Sequence, residues 1–230
     1  MNARRGRALR VRVTSQNAMY TLTPNVRACV DQNVVVFLDL RNDRYLSVDL
    51  QRAPPIMGVC EGASPNAAAS LVARSLIEEA PKISRDGQSG AGLTASADPN
   101  YFRSCRVSLA DVVTMLHACV RASITVRARR LDRAFRFYAR RKRGDKPAKT
   151  ELAELAGRFE RIRPWYPRAR VCLFDSLALM NFLLTFGHKP NIVMGVRATP
   201  FAAHCWVEDN GVCLNDAAET CRSYTPIAWA

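Results

Sequence analysis

Phe201 to Asp216 reads FAAHCWVEDNGVCLND. Ala202 to Glu208 has the composition of a strand, Asn210-Gly211 carries hairpin-turn chemistry, and Val212 to Asn215 runs back. The chain has three histidines, and one of them, His204, stands on this hairpin, twelve residues before Asp216. The length of the turn decides what the two side chains can do together. A two-residue Asn210-Gly211 loop pairs His204 with Ala217 and turns Asp216 to the opposite face. A three-residue loop, Asp209-Asn210-Gly211, pairs His204 with Asp216 and puts both on one face. An imidazole oriented by a carboxylate needs the second arrangement, so a catalytic reading predicts the three-residue loop, a type I turn with glycine in the left-handed position.

An activated imidazole calls for a nucleophile, and the candidate lies upstream. From Cys172 the pattern is helical to Gly187, with Pro190 beyond, and the thiol opens that helix just after a prolyl-rich segment holding Arg168 and Arg170. Unpaired N–H groups and the positive end of the helix dipole favour a thiolate there, and the same N–H groups suit an oxyanion. Each residue also has a structural reading: Cys172 as an inert buried thiol, His204 as a core histidine bonded to backbone, Asp216 as a turn residue or cap. His117 sits inside a helix pattern and His188 follows the Cys172 helix, so neither competes well. Asp175 and Ser176 either line the site or serve only the helix start.

Working outward, Val34 to Leu40 is a β-branched strand, Arg41 to Arg44 a turn and Tyr45 to Val48 a second strand. SPNAAASLVARSLIEEA reads as a helix capped by Ser64 with Pro65 at its first position; Glu78 and Glu79 at its end oppose the dipole. Ser84 to Asn100, rich in glycine and serine, reads as a linker. Three units follow: residues 1–83, a linker 84–100, and residues 101–230. In the last, Ser108 caps a helix whose buried side is predicted to carry Leu109, Val112, Val113, Leu116 and Val120, continuing into an arginine-rich stripe and breaking at Gly144 to Pro147. Leu131, Phe135 and Tyr138 give that stripe one buried side. Thr150 starts another helix with Leu152, Leu155, Phe159 and Ile162 on one face, and Arg163 to Arg170 is extended. Strands cover Asn191 to Val196 and Ala202 to Glu208. The fold class is α+β.

Composition bounds the function. The chain has 230 residues and a formal net charge of +14, with eleven Lys or Arg against two acids between Arg121 and Lys146. That stripe reads as a solvated helix face, with no nucleic-acid motif beside it. The longest charge-free apolar run, Ser176 to Phe186, is too short for a bilayer, and the basic start MNARRGRALRVRV lacks the pattern of a secretory signal, so a cytoplasmic protein is expected. Eight cysteines without a Cys-x-x-Cys pair read as free thiols. Cys205, Cys213, Cys221 and His204, evenly spaced, lack the tight pairs of a structural zinc site, so neither a metal nor a cofactor is expected.

CLFDSLALMNFLL (from Cys172), VMGVRATPFAAHCWVE (from Val193) and LND (from Leu214) resemble the C-terminal domain of the lasso peptide B proteins, transglutaminase-like leader peptidases of lasso peptide biosynthesis. The resemblance is dense over about 60 residues, and PFAAHCWVE is its most specific piece. It implies a papain/transglutaminase-like cysteine protease domain in which Cys172 is the nucleophile, His204 general base then acid, and Asp216 the orienting carboxylate. VVVFLDLRNDRYLSVD, from Val34, is similar to the strand pair of a RiPP recognition element, a small winged-helix domain that binds leader peptides. By that resemblance the edge Tyr45, Leu46, Ser47, Val48 and Asp49 receives an extended leader as an added strand. The implied partners are a lasso precursor peptide and an asparagine-synthetase-like, ATP-using cyclase, with no nucleic acid and no membrane. The same domain also resembles transglutaminases and arylamine acetyltransferases, so acyl transfer and a purely precursor-holding role stay open.

Overall fold

The computed structural model describes residues 20–56, 59–61, 67–79, 95–96, 105–141 and 151–230. The caps assigned to Ser64 and Pro65, the break at Gly144 to Pro147, the start at Thr150 and nearly all of the linker 84–100 lie outside them.

Three antiparallel strands, β2 (Val26–Asp31), β3 (Val34–Asp39) and β4 (Arg44–Asp49), form a sheet in the order β2-β3-β4. Asp39 shapes the β3–β4 turn by accepting from the N–H groups of Arg41 and Asn42. Alternation along β3 sends Val35 and Phe37 into one apolar cluster and Val36 and Leu38 into another. The smaller cluster is closed by β1 (Tyr20–Leu22), α1 (Ala68–Ala73) and β5 (Ile77–Glu79), with β1 paired to β5. The helix expected to run through Glu78 and Glu79 therefore stops early, and these acids lie exposed on a strand. A short strand avoids the unfavourable placement of two carboxylates at a helix C-terminus.

The larger cluster belongs to the remainder of the chain and to the far side of β3. Its centre is α5 (Cys172–Thr185), buried continuously from Phe174 to Leu184. One side packs on α2 (Leu109–Arg127) and α4 (Leu152–Ile162), and the other on a sheet ordered β10-β7-β8-β9-β6. Its strands are β6 (Ala95–Ser96), β7 (Asn191–Arg197), β8 (Ala202–Asp209), β9 (Val212–Cys213) and β10 (Thr225–Trp229). Ala95 and Ser96, read as linker, are thus the sheet's edge, parallel to β9. Asp31 ties the two sheets together, accepting from Ala198 N–H at 2.6 Å and from Thr225 Oγ1 at 2.7 Å.

Two helix expectations are corrected. Ser108 and Asp111 cap α2 reciprocally, as the sequence suggests, but the buried side is Met115, Ala118, Cys119 and Ala122. Leu109, Val113, Leu116 and Val120 are exposed, together with Ile124. Small side chains at Ala118, Cys119 and Ala122 bring α2 close to α5, whereas the bulkier stripe would hold the helices apart. Nor does α2 run on into the arginine stripe. Arg129 has φ 48°, which breaks the helix before α3 (Leu131–Arg141), whose buried residues are Leu131, Phe135 and Tyr138. Among the described residues α2 alone is long and apolar enough to cross a bilayer, and its buried side is committed to the core.

Candidate active site

Cys172 is the first residue of α5. The preceding segment is a 3-10 turn, Arg163–Trp165, followed by irregular chain rather than the extended run expected. What fixes it is a buried ion pair between Arg163 and Asp175 that no spacing rule reveals. Arg163, 1% exposed, also donates to the carbonyls of Tyr166, Arg168 and Ala169. Asp175 accepts from Val171 N–H at 2.9 Å through its other oxygen. One carboxylate thus anchors both the guanidinium and the residue next to Cys172, so Asp175 positions the helix start rather than lining the site.

His204 sits on β8 opposite Gly195 of β7. Its ring lies against Trp206, 6.0 Å between centroids, and Tyr224, 5.1 Å. Gly195 makes room for this packing: a Cβ there would stand 2.8 Å from the Trp206 ring and 2.9 Å from Tyr224 Cβ. Trp206 is held in turn by its Nε1–H to Glu208, 2.8 Å.

The hairpin is not the one predicted. Glu208 pairs with Cys213 and Asp209 with Val212, leaving a two-residue Asn210-Gly211 loop with φ of 48° and 80°. These are the positive values of a type I′ turn. In a regular ladder this register would carry Asp216 away from His204. The ladder, however, ends at Cys213. Leu214 N–H still bonds Val207 O, but Val207 N–H then donates to the side-chain Oδ1 of Asn215, 2.8 Å, where a backbone carbonyl would stand in a continuing strand. The chain bends there, and Asp216 Oδ2 comes to 2.8 Å from His204 Nε2. The contact is close but poorly directed, so Nε2 is buried without a well-aligned hydrogen bond. Asn215 Nδ2 also donates to Ser176 Oγ, 3.0 Å, which donates to Cys205 O, 2.8 Å. Fully buried Ser176 therefore couples the Cys172 helix, the His204 strand and the Asp216 bend. The sequence does not single out Asn215 and Arg163, whose roles depend on the bend and the ion pair, or Trp206 and Tyr224, whose role is ring packing on His204 beside Gly195.

The electrostatics follow from these contacts. The Cys172 thiol is pulled below its ordinary range first by its hydrogen bond with His204; burial opposes this, and the backbone N–H groups of Cys205 and Leu173 assist. His204 is raised, first by the same bond, against burial, with further help from the Cys172 and Asp216 charges. Both shifts favour a thiolate–imidazolium pair. With Nε2 facing Asp216, the other ring nitrogen is left for the sulfur. In contrast, burial pushes the Cys205 and Cys119 thiols up.

Two more thiols stand behind the imidazole. Cys221, on α6 (Ala218–Arg222), has its sulfur within 4.8 Å of donor atoms of both His204 and Asp216, and 3.4 Å from Cys213 Sγ. Cys205 is not among them; its side chain packs in the main core.

Residues 45–49 lie on β4, the outer strand of its sheet. Tyr45 is half-buried, edge-on to Phe201 at 5.4 Å between centroids, and its phenol is raised mainly by burial, with Cys205, Asp43 and Cys172 contributing. Leu46 and Val48 pack on the smaller cluster, and Ser47 and Asp49 are exposed. The strand edge thus meets the turn before β8 through Tyr45 and Phe201, three residues before His204.

Searches among curated proteins and among solved structures return no match. A family model described as "Transglutaminase-like superfamily" matches residues 110–228, the span that carries Cys172, His204 and Asp216. On that match, which covers just over half of the sequence, the chain belongs to the transglutaminase-like superfamily.

Proposed function

We propose that this protein is a cysteine peptidase that removes the leader from a lasso precursor peptide, with Cys172, His204 and Asp216 as its triad. The observation that carries the reading is the Cys172–His204 pair, with both shifts favouring thiolate and imidazolium, and Asp216 2.8 Å from the imidazole. The thiolate attacks the carbonyl of the last leader residue. The resulting oxyanion is met by the N–H of Cys172, which has no intrahelical partner as the first residue of α5. His204 protonates the departing amine, the new N-terminus of the core peptide, as the C–N bond breaks and a thioester forms. It then takes a proton from water, which attacks the thioester and returns the Cys172 sulfur as the leaving group.

Among the described residues β4 pairs only with β3, and its other edge suits an extended leader; the half-exposed side chains of Val171, next to Cys172 in the chain, and of Phe201, against Tyr45, offer apolar contacts. Holding the leader on the same molecule raises the effective concentration of the scissile bond. The exposed arginines from Arg127 to Arg141 are a solvated face or a docking face for the cyclase that uses the freed amine.

The test is mass spectrometry of a precursor encoded beside this gene, incubated with wild type and with Cys172→Ala, each with and without the cyclase. Cleavage at one leader–core bond, lost in the variant, is expected. Amine adducts in place of hydrolysis products would make the protein an acyltransferase on the same triad. Equal processing by both proteins would leave it a precursor-binding module.

A further inference from the structure

We propose that His204, Asp216 and Cys221 form a binding site for a zinc-like divalent cation, one that competes with the catalytic use of His204. A ring nitrogen of His204, an Asp216 carboxylate oxygen and the Cys221 sulfur all lie within 4.8 Å of one another, and Nε2 is the nitrogen that faces Asp216. Around a tetrahedral zinc, bonds of about 2.0–2.3 Å put ligand atoms roughly 3.3–3.8 Å apart. Nε2 and Oδ2, now 2.8 Å apart, need to open by about 0.5 Å, and the sulfur needs to close by at most about 1.5 Å. The segment that must adjust is short: Asp216 is on the bend after β9, and Cys221 is on a helix of five residues.

The donor types select the ion. One nitrogen, one oxygen and one sulfur suit zinc, whereas calcium and magnesium require oxygen sets. Nε2 is buried and lacks an aligned hydrogen bond, so a cation there displaces only the skewed Asp216 contact. Cys213, with its sulfur 3.4 Å from that of Cys221, supports the thiol from behind and is the nearest candidate for a fourth ligand; otherwise water fills that position. On binding, Cys221 releases its proton to solvent and its thiolate bonds the metal. This set differs from the evenly spaced one in the sequence: Cys205 drops out and Asp216 enters.

The consequence concerns the proton. A cation on Nε2 leaves the proton on the ring nitrogen that faces Cys172, so the imidazole has no lone pair with which to accept the thiol proton. Zinc therefore acts as a reversible brake, and a chelator releases it. Binding itself does not depend on what Cys172 does, so it stands or falls separately from the peptidase reading.

The experiment titrates Co2+, as a spectroscopic stand-in for zinc, into the full chain carrying Cys172→Ala. That background removes a metal bridging Cys172 and His204. A thiolate-to-cobalt charge-transfer band with tetrahedral visible absorption is expected, displaced by Zn2+. Adding Cys221→Ser should weaken binding roughly tenfold or more. Because Cys221 is buried, a second measurement is made without touching it: Zn2+ added to Cys172→Ala should slow amide exchange across residues 212–222 and leave residues 151–162 unchanged. No band in Cys172→Ala, cobalt affinity unchanged by Cys221→Ser, or exchange in 212–222 indifferent to zinc would each overturn the proposal.

Discussion

Asp216 reaches His204 by a path that the turn chemistry alone does not foretell. Its pairing with His204 was expected from a three-residue turn, yet it arises from a two-residue turn followed by a bend. The type of residue was legible, because a thiol at a helix start, an imidazole on a strand and a following carboxylate form a recognisable chemical set. The path was not, because it depends on Asn215 Oδ1 taking the place of a backbone carbonyl. Asp216→Ala should lower the cleavage rate by roughly 10²-fold or more, as expected when an acid–base group loses its support. It should also narrow the pH profile of kcat/KM. In the proposed mechanism the active pair is thiolate with imidazolium, so the acid limb falls where Cys172 is protonated and the alkaline limb where His204 loses its proton. Asp216 helps to raise His204, so its removal moves the alkaline limb to lower pH; an unmoved limb would show that the carboxylate does not act on the imidazole. Gly195→Ala places a methyl group against Trp206 and Tyr224 and should cost about 1–3 kcal/mol in chemical denaturation.

At the scale of elements, α5 and the two strands beside it were readable from composition and punctuation, with Gly187 at φ 92° closing the helix. The face of α2 was not. Two apolar faces run along one helix, and periodicity cannot say which one a neighbour will cover; the neighbour chose the side with alanines. This assignment is measurable. Met115→Ala should cost about 2–5 kcal/mol, while Val113→Ser and Leu116→Ser on the exposed stripe should each stay within about 0.5 kcal/mol of wild type. Equal losses at the two faces would put the helix in the wrong rotation. The Arg163–Asp175 pair is an element-level device too, since it ties the 3-10 turn to α5. Arg163→Ala leaves a buried carboxylate uncompensated and should cost about 3–5 kcal/mol.

Over the whole molecule, the chain was read as two units joined by a linker, and β3 bears on both. Val35 and Phe37 enter the smaller cluster, Val36 and Leu38 the larger, and Asp31 bonds to the chain just after β7 and to β10. A strand buried on both faces couples the units through shared core. Calorimetry of the full chain should therefore give one cooperative transition, with Asp31→Ala lowering its midpoint; two separated transitions would mean independent units. The β-branched run VVVFLDL signals a strand but not which cluster each face enters, because both faces of the run are apolar. The same sharing brings Tyr45 against Phe201, and so carries the proposed leader edge up to the strand that bears His204.

The central claim is that Cys172 works as a thiolate sustained by His204, and it can be tested without a substrate. The measurement is the rate of Cys172 alkylation by iodoacetamide as a function of pH, with the site assigned by peptide mass mapping, in wild type and in His204→Ala. Wild type should alkylate well below the pH at which an ordinary thiol ionises, and His204→Ala should shift that limb to higher pH, because the strongest support for the thiolate is gone. A wild-type limb at the ordinary thiol position, unmoved by His204→Ala, would contradict the account and leave Cys172 a structural residue.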